Sequence, residues 1–493
     1  MSCKFQLSVI FASIINLLLI TTIVGQNLDY KTVDSISLDS YYRKDWPALE
    51  TIGKQSLRAG VDYYYLRLRL GIAAYEQRKF TVAERHFRKA MEFNNYDPTA
   101  QSYLTGTLLE TFRLTEAGSV FNRSLPTAKE FVPIKKGFRV NSVHTDIGMI
   151  NRNENDNLGF KKLAGDSSIF GQQRIYDDSQ IYDAGTFLQL RPNLLLYAGF
   201  QWIDTKATDR FAYIENNLKQ DSTVSFDWGS AYYYSVDSVQ KTKNTDHQIL
   251  QRSAYLQTRW SPSSRLTFTA AAHLVRLYQT QTIAVNDSFP VTDTAFYITY
   301  NDSVGLFTTY LNRTDFQEDT ILTYDWSASL HARYSFGRVA TTLGANIAQL
   351  NGDIIRQFSV GLVYLPFGNS SLYSQTELIT VKDKSETNYI LKEMIGGRIT
   401  DRVWLDVGMM IGKINRFSDQ FSYIIFNNPE MIRLRIEPTL YCVISKHLQL
   451  QLRYKYQQSE SYYYTYTSPD LIFTENTINN QAYAIIGGIK WIF

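Results

Sequence analysis

The chain has 493 residues, enough for more than one domain. A formal charge of +3 with 20% charged residues excludes the polarised surface expected of a nucleic-acid binder. Aromatics reach 14% while mean hydropathy stays at -0.25, and beyond the N-terminus no run of about 20 apolar residues occurs; this disfavours a polytopic helical protein and permits a transmembrane barrel, which hides its apolar signal in alternation.

Residues 1–25 carry Lys4, the apolar run FQLSVIFASIINLLLITTIVG ending on Gly25, and a polar stretch from Gln26. The order of charged, apolar and small residues predicts a cleaved signal peptide, with an uncleaved anchor as the alternative. No Cys follows the run, so lipoprotein processing is not indicated. Cleavage removes Cys3 and leaves Cys442 without an internal disulfide partner. Residues 26–43 read as a flexible segment.

From Trp46 to Leu125 the apolar spacing is helical, with Gly and Pro at the breaks. Ala83, Phe87 and Ala90 recur 34 residues later as Ala117, Phe121 and Ser124. The stretch LGIAAYEQRKFTVAERHFRKAMEFNNYDP resembles the tetratricopeptide family, with Leu70-Gly71 and Tyr75 in a first helix and Ala83, Phe87 and Ala90 in a second. It departs in that Tyr75 is one residue late and Pro98 lies about three residues beyond the usual terminating proline, implying a stretched turn. The second copy, from Pro98 to Leu125, has an offset Thr105-Gly106 and Ser124 in place of Ala. A plain helical hairpin is the alternative. The resemblance implies a domain over 44–130, packing through Gly71, Ala83, Phe87, Ala90, Ala117 and Phe121, a capping helix over 44–58, and a groove for a protein or peptide.

After Pro133 the period changes to two. In HLQLQLRYKYQ, Leu448, Leu450, Leu452, Tyr454 and Tyr456 face one way and Gln449, Gln451, Arg453 and Lys455 the other. TYDWSASLHARYSF sets Trp326, Leu330 and Tyr334 against Asp325, His331 and Arg333 in the same manner. About fourteen such runs start near residues 138, 180, 194, 249, 265, 323, 338, 354, 371, 388, 402, 432, 447 and 481, predicting an antiparallel transmembrane barrel over 135–493, hence an α+β chain of two domains. Tight turns at 191–193, 261–264, 336–337, 366–369, 400–401 and near 446 alternate with links at 150–179, 209–248, 281–322, 415–431 and 459–480, while those near 350 and 384 are short but in phase. That asymmetry fits periplasmic turns and outer loops, and puts both barrel ends in the periplasm beside the helices. Trp202, Trp260, Trp326, Trp404 and Trp491 lie close to proposed strand ends, where lipid meets water, although Trp404 points inward by phase. The last run places Tyr483, Ile485, Ile489, Trp491 and Phe493 on one face, which resembles the terminal signal read by the barrel-assembly machinery.

The inward residues His331, Arg333, Arg433, Arg435, Arg453 and Lys455 are candidate lumen-lining groups, with Glu437 and Asp406 beside the basic ones. Two readings stand: a basic wall favouring anionic solutes or acidic glycans, and a self-compensated charge network in a closed barrel. None of the six His sits in a His-x-Ser arrangement; His273 and His331 point inward on neighbouring runs and read as lumen residues rather than catalysts. No metal-ligand spacing and no phosphate loop occur, so neither an enzyme nor a cofactor is expected. The combination resembles, in architecture alone, the exopolysaccharide-export porins that join helical repeats to a barrel, which usually carry many more repeats. It implies an outer-membrane pore or export component for a polysaccharide or other polar solute, with a periplasmic protein on the repeat. The alternative is a non-transporting adhesin or envelope scaffold. Expected partners are outer-membrane lipid, the assembly machinery, that periplasmic protein and a glycan or polar solute.

Overall fold

The computed structural model describes residues 28–153, 160, 169–226, 229–293, 307–384, 386–466 and 473–493. The expected signal peptide lies outside the described residues. Two compact units result, a helical one up to Ile134 and a strand-built one from Lys135.

The helical unit contains α1 (Tyr30–Tyr42), α2 (Trp46–Arg58), α3 (Tyr64–Glu76), α4 (Phe80–Phe93), α5 (Pro98–Glu110), α6 (Leu114–Arg123) and α7 (Pro126–Glu130). Asp29, Asp45 and Asp97 cap α1, α2 and α5 by accepting from Thr32, Ala48 and Thr99 N–H groups, while Pro47, Pro98 and Pro126 occupy first turns that need no donor. Pro98 therefore starts a helix and does not merely end a stretched turn. Within the segment 26–43, expected to be flexible, Tyr30–Tyr42 folds as α1: its Asp29 cap and buried Val33 fix it, and Arg69 reaches from α3 to Asp34 at 2.7 Å. Its polar composition concealed this, because only a narrow face is buried.

The repeat residues come together. Ala83, Phe87, Ala90 and Ala117 join Leu68, Ile72, Leu104 and Leu108 in one buried cluster, and Phe121 is buried beside it. A Cβ on Gly71 would stand 2.5 Å from the Phe87 ring, so α3 and α4 approach this closely only because residue 71 is glycine. Phe87 stacks on Tyr103 and Tyr75 meets Tyr103 edge-on, each with ring centroids 5.3 Å apart, carrying the packing into α5.

The second unit is a closed barrel in which each strand pairs antiparallel with its chain neighbours and β1 with β14: β1 (Arg139–Asn153), β2 (Ile169–Arg191), β3 (Leu194–Phe226), β4 (Gly229–Trp260), β5 (Leu266–Asp293), β6 (Phe307–Phe336), β7 (Val339–Leu350), β8 (Asp353–Tyr364), β9 (Leu372–Lys382), β10 (Thr387–Arg398), β11 (Val403–Asp419), β12 (Ile424–Val443), β13 (Leu448–Tyr466) and β14 (Phe473–Ile492). The fourteen expected runs all fall on these strands, and the six tight turns share one end of the barrel.

The longer links differ from expectation. Residues 209–248 are mostly not a loop: β3 and β4 stay paired from Leu194↔Trp260 to Phe226↔Gly229, and β5 and β6 from Leu266↔Tyr334 to Asp293↔Phe307. A tilted crossing needs only about 9–11 residues, so these strands of 28 to 33 residues run on as two-stranded ribbons. Trp202 and Trp326 consequently sit within strands, not near their ends.

Candidate functional site: the lumen and the hairpin inside it

The outer face of the barrel is apolar and exposed. Ile147, Phe200, Leu274, Leu330, Phe358, Val360, Ile395, Leu452 and Ile485 all point outward. Their inward neighbours are polar or small: Asp146, Gln201, His273, Ser329, Gln357, Arg453 and Ala484. A soluble barrel would invert this order. Trp202 and Trp260, 40% and 45% exposed, bracket the belt. Trp260 pairs with Leu194, and the eight residues from there to Trp202 cover about 26 Å of strand, or roughly 20 Å of height at a tilt of ~40°. Fourteen strands about 4.8 Å apart at that tilt close on a backbone diameter of about 28 Å. Wall side chains alone do not fill such a lumen; small barrels of eight strands are the ones so filled.

A segment of the wall enters it. At Gly412 the backbone takes φ 149°, and a Cβ there would stand 2.5 Å from the Tyr389 carbonyl oxygen, so β11 turns out of register on a residue that must be glycine. The β11–β12 ladder slips on either side of Ile414, and the β12–β13 ladder slips between Ile432 and Leu434. Between those slips the β11–β12 hairpin folds inward. Its root, Ile414, Phe417, Phe426 and Ile432, packs with Leu350, Ile355, Ile379, Val381, Ile390 and Met410 in a buried apolar cluster along β7–β11. Burying four such side chains contributes about 6–12 kcal/mol.

The tip is held differently. Tyr255 Oη donates to Phe421 O at 3.0 Å, and His273 Nδ1 lies 2.7 Å from Ser422 O, which fixes the Nδ1–H tautomer. Asn346 Nδ2 donates to Ser422 Oγ at 2.6 Å, Ser327 Oγ lies 3.0 Å from both Ser418 Oγ and Ser422 Oγ, and Gln357 and Ser418 exchange two bonds of 2.9 and 3.1 Å. Tyr423 Oη donates to Asp183 and accepts from Tyr197 Oη at 3.2 Å. The His331 ring meets Phe421 edge-on with centroids 4.6 Å apart. The hairpin thereby spans the lumen from β11 and β12 to β2. Gln420, Phe421 and Ser422 all have left-handed φ, at 49°, 59° and 72°. Three such non-glycine residues cost about 3–6 kcal/mol, tolerated only because the surroundings over-determine the tip.

The predicted lumen residues divide. Arg435, Arg453 and Lys455 do face inward and converge on Glu437: Arg435 pairs with it directly, Arg453 at 3.2 Å and Lys455 at 3.9 Å. Arg435 also lies 5.1 Å from the Phe426 ring, just beneath the hairpin. Three cations share one carboxylate here. Arg333 faces inward on β6, as does His331 above it. Arg433 is a correction: the slip at Ile432/Leu434 reverses the phase of β12, because a one-residue shift moves a side chain to the other face. It sits outside, paired with Glu460 at 2.7 Å in a shallow groove with Tyr389 and Ile411. Of the terminal residues, Tyr483 and Trp491 lie on the outward face of β14, and Phe493 N–H donates to Asn141 O.

Sequence reasoning placed 415–431 among the outer loops. A signal was present, since the run from Phe417 to Phe426 holds six Phe, Tyr and Ile residues, more than a water-facing link needs. A second unforeseen centre joins the ribbons: buried Asp209 accepts from Arg174 at 2.7 and 2.9 Å and from the Thr282 N–H at 2.8 Å, and His247 lies 3.3 Å away.

No known family description and no curated protein matches this sequence. Solved structures similar to the chain include a Pseudomonas aeruginosa FadL homologue, 10% identical with TM-score 0.35, over 81% of this chain and 94% of that one. The Pseudomonas putida toluene transporter TodX is 9% identical with TM-score 0.35, over 75% and 92%. The Ralstonia pickettii toluene transporter TbuX is 8% identical with TM-score 0.37, over 73% and 90%.

Proposed function

We propose that the chain is an outer-membrane barrel that passes a polar solute through a lumen closed by its own β11–β12 hairpin, with the helical unit on the periplasmic side as a protein-binding module. The observation that carries this is the inverted polarity of the barrel, apolar outside over a membrane-sized belt and polar within, at a diameter too large for wall side chains to fill. The Glu437 cluster supports a path for uncharged or anionic solutes, since its cations outnumber its carboxylate. Likeness to tetratricopeptide repeats rests on Gly71 under Phe87 and the 34-residue recurrence, and supports a groove for a periplasmic protein. His273 and His331 are engaged with the hairpin in this reading, which assigns them no catalysis. Residues 413–431 replaced by a two-residue turn should leave a barrel that inserts into planar bilayers and conducts steadily. A silent barrel of normal fold would remove the pore and leave the scaffold reading. That second reading draws on the ribbons beyond the belt, tied at Asp209, which offer a broad outer surface for adhesion.

A further inference from the structure

Resting on the pore reading, we propose that the β11–β12 hairpin is a gate that opens by letting go of its tip while its root stays anchored. The two ends of the hairpin divide their holding forces differently, full apolar burial at the root and polar contacts with partly buried rings at the tip. The root sits in an apolar cluster with β7–β11, where release would expose Phe417, Phe426 and Ile414 to water. The tip is held from β4–β7 by hydroxyl, amide and imidazole contacts through Tyr255, His273, Ser327 and Asn346, from β2 by the bond between Tyr423 and Asp183, and by partly buried Phe421 and Tyr423 resting on the Tyr197 and Tyr255 rings. Water in an open lumen replaces the polar bonds at small net cost, and Phe421 and Tyr423 give up only partial burial, against the full burial of Phe417 and Ile414 at the root. Letting go also frees Gln420, Phe421 and Ser422 from three consecutive left-handed conformations. The tip is therefore the end that yields.

The mechanical requirement is met as well. Below the hairpin the β11–β12 ladder is unbroken from Val403↔Cys442 to Ile411↔Leu434, so the wall does not depend on where the tip lies. The slips at Ile411/Ile414 and Ile432/Leu434 bracket the hairpin on both of its strands, and Gly412 supplies the conformation at the first of them. Bulges at matching heights let a hairpin pivot without unzipping the sheet beneath it. Motion of the tip toward β7–β11 clears the side of the lumen lined by Asp183, Tyr197 and Tyr255, leaving a passage between the tip and β2–β4.

The test is a reversible lock on the full chain. With Cys442→Ser as parent, Ser327→Cys and Ser422→Cys place two thiols where hydroxyls now stand 3.0 Å apart. In planar bilayers the parent and the reduced pair should show intermittent openings, oxidation should abolish them, and reductant should restore them. A separate variant, Tyr255→Phe with Asn346→Ala, removes two tip contacts without touching the root and should raise open probability about tenfold or more. Openings unchanged by the cross-link overturn the gate while leaving the pore. A parent that never opens, beside a hairpin-replaced barrel that conducts, makes the hairpin a fixed plug and also overturns it. A hairpin-replaced barrel that folds and stays silent removes the pore reading itself.

Discussion

Acid should unfold the helical unit through a single histidine. His86 on α4 is 8% exposed, and its Nδ1 lies 3.3 Å from an Arg67 guanidinium nitrogen. Burial, reinforced by Arg67 and Arg85, pushes the imidazole down to about 4 from 6.5. A group depressed in the fold keeps its full contribution above its unfolded value and loses it as pH falls, because the unfolded chain takes up the proton first. Integrated over those two values, the loss between pH 7 and pH 5 is about 2 kcal/mol, levelling near 3 kcal/mol below pH 4. Carboxylates do not confuse this window: bonds from Lys54 and Lys79 hold Glu50 down to about 2, so its contribution fades only below its ordinary 4.5. The other five histidines belong to the barrel. Thermal melts of the detergent-solubilised full chain, followed by helical circular dichroism, should lose about 10 °C on going from pH 7 to pH 5. His86→Gln should be lower at pH 7 and nearly insensitive over the same interval. Equal shifts in both proteins would refute the assignment to His86.

Gly71→Ala drives a Cβ into the Phe87 ring and should cost about 1–3 kcal/mol in the same melt, whereas Gly106→Ala, whose Cβ meets Tyr75 Oη at 3.4 Å, should be neutral or slightly stabilising. Glu437→Gln leaves Arg435, Arg453 and Lys455 without their shared carboxylate; reversal potentials across a salt gradient should move toward anions, and detergent-urea stability should drop by about 3–5 kcal/mol. Glu460→Gln, which breaks the outer pair with Arg433, should cost no more than about 1 kcal/mol and leave selectivity unchanged. Asp209→Asn loosens the junction of β2, β3, β4 and β5, and should make the ribbons the first part of intact cells' barrel cut by added protease.

Strand positions were legible because the outer and inner faces of the barrel take opposite kinds of side chain at successive residues, so β7, β8 and β14 announce themselves by alternation. The ribbons were not, since Phe211 and Tyr213 answer to partners such as Phe316 on a distant strand and follow no two-faced rule. Arg435, Arg453 and Lys455, put on one face by counting in twos, gather round Glu437. Arg433 was misplaced by the same counting, because a bulge is a backbone event and its residues look ordinary in sequence. The hairpin was hidden for another reason: Tyr255, His273, Ser327 and Asn346 are spread over four strands, and only barrel closure brings them round one tip.

That spread bears on the order in which the molecule is made. Tyr423 reaches Asp183 across 240 positions of chain, and Phe421 reaches Tyr255 across 166. Contacts of such separation are the last to be rewarded during folding. The tip has nothing to grasp until β2 through β8 have curled into place, so its seating records that the wall is whole. On the pore reading, an incompletely assembled barrel is an unsealed one, and leakage becomes a direct readout of unfinished biogenesis.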